Sequence, residues 1–296
     1  MPPVGAPSTQ LAECVINISE GRDAGVIGSL ARAGGGCLLD VHSDPEHNRS
    51  VLTLAGPLAA VEESARRVTA AAVAAIDLTT HRGVHPRLGA VDVVPFVPLR
   101  ADDGTSTSWE DVLAARGSFA AWAGAELEVP CFFYGPERTL PDVRRGAFTS
   151  LTPDTGPGRP HPTAGATAVG ARNVLIAYNV WIAASEPDAM SADDVATVAR
   201  TLATRLRRPG LRTLGLTVDG GAQVSCNVVD PDRVTLTEVY DAVDQGASSL
   251  GCAALRGELV GLLPDSALTA VPERRWSQLG LRAGDTIEFR LGAHRG

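Results

Sequence analysis

The chain has 296 residues, room for two cores of ordinary size, with 44% hydrophobic residues and a formal net charge of −8. That negative balance argues against nucleic acid as the main partner, because phosphate recognition needs a basic face. All 26 basic residues are arginine, so chemistry through a lysine Schiff base is excluded. Residues 1–10 have neither a charged start nor an apolar core; they read as a flexible tail, not a signal peptide. No apolar run is long enough to span a membrane, and a cytoplasmic protein is expected. The five cysteines are scattered without a Cys-x-x-Cys pair, which points to buried thiols rather than a disulfide framework or a zinc ribbon.

In chain order, residues 11–18 read as a strand, 24–33 as a short helix, and 37–41 and 50–54 as strands. Residues 57–76 read as a helix with proline in its first turn, and 91–97 as a buried strand. That order, βαββαβ, predicts a four-stranded antiparallel sheet with two helices on one face. An αβα extension follows: a helix over 108–127 with Ser108 and Asp111 spaced as a capping box, a strand over 130–134, and a short helix after Pro141. The Gly/Pro-rich run 153–165 reads as the natural divider. The same order then recurs, with a strand over 174–182 and a helix over 192–206. Strands 213–218 and 223–229 turn at Asp219-Gly-Gly221, before a helix over 236–245 and a strand over 253–262. Residues 286–291 read as a closing strand. The fold class is therefore α/β (α+β): two ferredoxin-like βαββαβ-type subdomains, each a two-layer α/β sandwich. The boundaries are a tail at 1–10 and subdomains at 11–172 and 173–296. Each half leaves a bare sheet face, to be covered by the other half or across a dimer.

Polar residues concentrate in the first half. Asp40, His42, Asp44, His47 and Arg49 follow one strand, and His81, His85 and Arg87 precede another. Pro86 keeps His85 extended, and an imidazole held on a loop can move protons near neutral pH. The plainer reading is a loop histidine making one hydrogen bond. Whether the two loops meet is open at this level. If they do, His and Asp at short spacing could ligate zinc or iron. Gly83 and Pro86 disfavour the helical clamp that His81 and His85 would need, so no metal is expected. The small-residue run 163–172 lacks a following Gly-Lys-Ser/Thr, so no nucleotide is expected either. Cys14 lies in an apolar alternation and reads as core, and no Gly-x-Ser-x-Gly elbow is present. What remains is general acid–base chemistry at His85 with carboxylate and arginine support.

Four segments carry a family resemblance. His85-Pro-Arg-Leu-Gly-Ala-Val-Asp-Val-Val-Pro-Phe96 resembles the His-Pro-Arg-x-Gly-Ala-x-Asp-Val-x-Pro-Phe signature of glutamate formimidoyltransferases. Glu13-Cys-Val-Ile-Asn-Ile-Ser-Glu-Gly-Arg22 resembles that family's opening, and Leu38-Leu-Asp-Val-His-Ser-Asp-Pro-Glu-His-Asn-Arg49 its second loop. Pro153-Asp-Thr-Gly-Pro157 with His161-Pro-Thr-Ala-Gly-Ala-Thr-Ala-Val-Gly-Ala-Arg172 resembles its folate-binding region.

The resemblance runs in one order from about residue 11 to the C-terminus. It implies N- and C-terminal formiminotransferase subdomains, a homodimer, and transfer of a formimidoyl group from N-formimidoyl-L-glutamate to N5 of tetrahydrofolate. A monofunctional form without the cyclodeaminase domain is expected. Carried over, His85 takes the N5 proton as the tetrahedral intermediate forms and protonates the departing glutamate nitrogen. Asp40 stabilises the amidinium, with Asp92 as the alternative. The folate wall comprises Gly156, Pro157, Gly158, Arg159, Pro160, His161, Pro162, Thr163, Ala164 and Gly165. Arg159 and Arg172 pair the folate-tail carboxylates, or else serve as a solvated loop arginine and a structural ion pair. Two positions depart from the pattern: Val84 stands where the family has glutamate, and His42 where animal members have aspartate. Both changes remove a carboxylate near a cationic amidine. The alternatives are a related transferase using another amidine or one-carbon donor, and a catalytically weak folate-binding protein.

Overall fold

Residues 11–18 alternate between two surroundings, and that alternation builds the first sheet. The structure, a computed structural model, describes residues 10–101, 104–186, 189–218 and 221–295, and the chain divides into two units, Met1–Arg172 and Asn173–Gly296. In the first unit, strand β1 (Leu11–Ile18) sends Cys14, Ile16 and Ile18 into a core, so Glu13, Val15 and Asn17 face the other side. Helix α1 (Ala24–Gly34) starts at Asp23, whose carboxylate accepts from the Gly25 and Val26 amides. Strands β2 (Leu38–Asp44) and β3 (Arg49–Pro57) form the next hairpin. Helix α2 (Leu58–Ala75) follows Pro57 and lays Val61, Ala65, Val68 and Ala72, one helical stripe, on the core. Strand β4 (Val91–Pro98) completes the antiparallel order β2-β3-β1-β4.

The αβα extension enlarges this sheet. Helix α3 (Trp109–Glu126), strand β5 (Cys131–Tyr134), helix α4 (Leu140–Gly146) and strand β6 (Thr167–Ala171) follow in turn. Strand β6 inserts between β4 and β5, parallel to both. Phe119 and Ala123 of α3 share the core of α2, whereas α4 packs on the opposite face, with Val143 among Val93, Phe132, Tyr134 and Ala168. One irregularity matters later. Asn17 pairs with Val93 and Ile18 with Val91, so Asp92 is the extra residue of a β-bulge. Such a bulge re-aims a side chain, and here it sends Asp92 to the face of α4.

The second unit repeats the order with antiparallel strands throughout. It comprises β7 (Ile176–Ala184), α5 (Ala192–Leu206), β8 (Leu211–Val218), β9 (Gly221–Val228), α6 (Leu236–Ser248) and β10 (Cys252–Val260), in the sheet order β10-β7-β9-β8. Capping boxes, Ser191 with Asp194 and Thr235 with Glu238, start both long helices. Val195, Leu202, Val239 and Val243 from these helices meet Tyr178, Val180, Ile182 and Val224 from the sheet. Helices α7 (Asp265–Thr269), α8 (Trp276–Leu279) and α9 (Ile287–Arg295) end the unit.

Three expectations are corrected. Residues 287–291 are helical, not a strand: only Thr286 bridges Leu263, and its hydroxyl then accepts from the Phe289 amide at 3.2 Å, capping a helix. The run 153–165 is not a divider but belongs to the first unit, where the Cys131 amide donates to Thr155 and the Ala90 amide to Ala164. Residues 167–171, read only as a small-residue run, form a buried interior strand beside the edge strand β5. Of the expected tail, residues 1–9 lie outside the described residues, while Gln10 accepts from the Leu58 amide. The turn at Asp219-Gly220 also lies outside them.

The smallness of β6 has a packing cause. A Cβ on Gly170 would lie 2.1 Å from the Tyr134 ring, which crosses the strand there. Gly170→Ala is therefore expected to destabilise the first unit by about 1–3 kcal/mol through overpacking. Urea denaturation of the two proteins measures it, and an unchanged midpoint would refute this account of the strand.

Candidate active site

The polar residues of the first half are gathered at one end of its sheet. The link between α2 and β4 lies against the β2–β3 turn because Gly83 has no side chain: a Cβ there would sit 2.4 Å from the His47 carbonyl oxygen. Asn48 accepts from the Gly21 amide at 2.9 Å and donates to the Arg82 carbonyl at 2.9 Å, tying three segments together. Arg87 gives the link its shape. Its guanidinium donates to the carbonyls of Gly83 (2.7 Å) and His85 (2.8 Å) and to His81 Nδ1 (2.6 Å).

The two histidines of the link are in different states. His81 uses both ring nitrogens, since Nδ1 accepts from Arg87 and Nε2 donates to the Asn48 carbonyl at 3.2 Å. Burial and the Arg87 charge lower its pKa. His85 is half-buried and sits edge-to-face on His47, with ring centroids 5.9 Å apart. Its Nδ1 lies 2.7 Å from the Pro86 carbonyl, which can only accept, so Nδ1 carries the hydrogen. Nε2 is then the basic nitrogen. Burial, with the charges of Arg49 and Arg144, holds the His85 pKa down to about 3 against the pull of Asp92.

Asp92 anchors the site. It is 0% exposed and accepts from Arg49 Nη1 (2.7 Å), from Arg144 Nη2 (2.6 Å) and Nη1 (3.3 Å), and from the Leu88 amide (2.7 Å). Arg49 also donates to Asn17 Oδ1 at 2.7 Å, and Arg144 Nη1 to the Pro86 carbonyl at 3.1 Å. Burial opposes ionisation of Asp92, but the two guanidinium charges and these hydrogen bonds outweigh it and hold the carboxyl at about 2.

The structure thus brings together the two loops that sequence left unconnected, and puts Asp92 beside His85. Asp40 lies elsewhere. It pairs with Thr53 in β2, four residues and about 13 Å along the strand from Asp44. The alternation places it with His42 and Arg49 on the face opposite α2, the face that α4 covers farther along the sheet. Of the predicted wall, Thr163 to Ala166 are laced to the histidine link. The Leu78 amide donates to Thr163, the Ala90 amide to Ala164, and the Ala166 amide to Leu88. His161 Nδ1 accepts from the Ala164 amide at 3.0 Å, and His161 and Gly165 exchange backbone hydrogen bonds. Gly156 packs on Gly124 of α3, Pro157 and Pro162 flank the wall, and Gly158, Arg159 and Pro160 are exposed. Arg172 ends β6 and its amide donates to the Phe96 carbonyl; its side chain bonds the Tyr134 hydroxyl, whose pKa burial raises to about 12 against the Arg172 charge.

Asn17 and Arg144 were not singled out from sequence. Arg144 carries no motif, and only the packing of α4 aims it at the site. Cys14 is fully buried and burial pushes its thiol pKa up, so it is no nucleophile. Among the described residues, no group of three or more His, Cys, Asp or Glu side chains could hold a metal ion.

Comparison with known proteins gives one consistent match. The profile "Formiminotransferase domain, N-terminal subdomain" matches residues 11–172, and "Formiminotransferase domain" matches residues 177–275. A glutamate formimidoyltransferase of Streptococcus pyogenes is 33% identical over 290 residues, covering 89% of this chain and 92% of that protein. One from Thermoplasma acidophilum is 31% identical over 310 residues, covering 95% and 97%. The formimidoyltransferase-cyclodeaminase of Mus musculus is 35% identical over 285 residues, and there the chain spans only 51% of the relative.

Asp92 generates a stability prediction. Its carboxyl is depressed in the folded protein, so its contribution is fully present above the unfolded pKa of about 3.9. It is lost as pH falls through about 2, and amounts to the order of 2 kcal/mol. Asp92→Asn is expected to cost about 3–5 kcal/mol at neutral pH, by leaving two arginines against a neutral amide, and to flatten this acid dependence. Unfolding free energies measured across pH test it. An Asn variant that keeps the wild-type acid slope would show that Asp92 is not its source.

Proposed function

The chain belongs to the formiminotransferase domain family, and on that premise we propose that it transfers the formimidoyl group of N-formimidoyl-L-glutamate to N5 of tetrahydrofolate. The observation that carries the reading is His85. It stands in the family's signature stretch with Nδ1–H committed to a carbonyl, and among the described residues no protein group is hydrogen-bonded to Nε2. Tetrahydrofolate supplies the nucleophilic N5. Nε2 accepts the N5 proton as the N5–carbon bond forms, and returns it to the glutamate nitrogen as that nitrogen leaves the same carbon. Such a proton shuttle is worth roughly 10²–10⁴ in rate.

The donor set fits both substrates. Asp92 offers one negative charge to two guanidiniums, leaving one positive charge in excess near His85, and both substrates bear glutamate carboxylates. Thr163 to Gly165 and Arg172 are the parts of the proposed folate site that support this reading best, since the first three are laced to the histidine link and Arg172 lies on the face opposite α2. Asp40 stays in the proposal as a carboxylate on that face, at a distance from His85. We take residues 11–172 and 173–296 as N- and C-terminal subdomains of one transferase, active as a cytoplasmic homodimer. Five buried free cysteines suit a reducing compartment, and no helix of the described residues is long and apolar enough to cross a membrane.

A second reading is favoured by Val84, which is 57% exposed beside His85 where the family carries glutamate. An uncharged side chain there, with His42 in place of aspartate, suits a donor less cationic than the amidine.

Tetrahydrofolate-dependent release of glutamate from N-formimidoyl-L-glutamate tests the main reading. His85→Ala is expected to lose roughly 10²–10⁴ in kcat with little change in folate affinity, and His81→Ala much less. Because His85 is neutral above about 3 in the free protein, kcat/KM should show no acid limb near the ordinary imidazole value of about 6.5. Near-normal kcat in His85→Ala would sink the assignment.

Val84→Glu separates the two donors. A carboxylate at this exposed position is expected to improve kcat/KM for N-formimidoyl-L-glutamate by roughly fivefold, about 1 kcal/mol after solvent screening. A loss instead, in a folded protein, would favour the less cationic donor.

A further inference from the structure

We propose that Arg144 is the positioning residue of His85: by holding the Pro86 carbonyl it fixes the imidazole in the tautomer that leaves Nε2 to react. The inference rests on the reading of His85 given above and adds a residue from another element to it. Arg144 lies on α4, 58 residues from Pro86, yet its Nη1 donates to the Pro86 carbonyl at 3.1 Å. That same oxygen accepts from His85 Nδ1 at 2.7 Å. A carbonyl has two lone pairs, and these two donors use both. Rotation of the peptide away from the imidazole would break both bonds at once. Arg144 is itself held at its other edge, where Nη2 meets Asp92 at 2.6 Å. Asp92 in turn is fixed by Arg49 and the Leu88 amide. The imidazole orientation is thus referred to a buried carboxylate on a strand rather than to the loop alone.

The groups facing His85 come from four elements: Arg49 at the start of β3, His47 with Asp44 beside it in the β2–β3 hairpin, Asp92 on β4 and Arg144 on α4. His81 and Arg87 stand on its own link. Arg144 adds a positive charge that opposes protonation of the ring, so the geometry and the charge act in the same direction. Helix α4 does not depend on it. The Thr139–Asp142 capping box and the burial of Val143 hold the helix, and Asp92 keeps Arg49 when Arg144 is changed.

The test uses the full chain with Arg144→Met and Arg144→Lys. Steady-state kinetics are combined with 15N NMR of the histidine rings, the His85 signals being assigned with His85→Ala. Arg144→Met is expected to lower kcat roughly 10²-fold, with both KM values within about threefold, because a misplaced base affects the chemical step. Its His85 spectrum should show the Nε2–H tautomer appearing, and the acid limb of kcat should move to higher pH as a neighbouring cation is lost. Arg144→Lys keeps the charge but offers a point donor in place of a fork, so it should recover only part of kcat. An unchanged His85 tautomer in Arg144→Met overturns the proposal whatever the rate does. Retained kcat in His85→Ala overturns the underlying reading instead, and the ring spectra report on Arg144 without any turnover.

Discussion

A carboxylate removed from solvent must be neutralised where it stands, and Asp92 is where this structure meets that requirement. Its two oxygens collect guanidiniums from β3 and α4 and an amide from the loop before β4, while Arg49 extends the network to Asn17 on β1. Four stretches separated by up to 127 positions, from Asn17 to Arg144, are thereby referred to one atom pair. A β-bulge makes this possible, because regular alternation would have sent Asp92 into the core beside Val94. A buried pair of this kind adds little net stability over a well-packed apolar core, but losing one partner is severe. Its value lies in specifying geometry.

The absence of lysine fits this construction. Each arginine at the site makes two or three directed bonds: Arg49 to Asp92 and Asn17, Arg144 to Asp92 and Pro86, Arg87 to His81 and two carbonyls. A planar fork places its partners in one plane, whereas an ammonium would only neutralise them. Burial, with the charges of Arg49 and Arg144, keeps His85 neutral, and the surplus positive charge favours ligands that bring carboxylates. Binding of such ligands would offset the surplus and raise the basicity of the imidazole. Val84 and His42 add no carboxylate that would offset that charge.

The wall at 161–166 shows how a loop becomes part of a scaffold. Proline and glycine give it a stiff shape, yet its place comes from hydrogen bonds to Leu78, Leu88 and Ala90 on either side of the histidine link. Substrate contacts there would be felt directly by the backbone that carries His85.

Sequence by itself determined the kind of elements and their order. The stripe Val61, Ala65, Val68 and Ala72, the cap at Ser108, and the alternation over 11–18 are local patterns, and local patterns survive translation into structure. The shape of the link around His85 was likewise legible, since Pro86 and Gly83 act on their immediate neighbours. Sequence misread Thr286, where alternation and a helix cap compete within six residues and the cap prevails. Tertiary structure alone decided the rest. That β6 slots between β4 and the edge strand β5 depends on the Tyr134 ring crossing Gly170, and that the charge of Asp92 reaches His85 depends on a one-residue bulge. That Arg144 reaches Pro86 depends on which face α4 covers. Each is a contact between residues far apart in the chain, set by register and packing, for which no spacing in the sequence carries a signal.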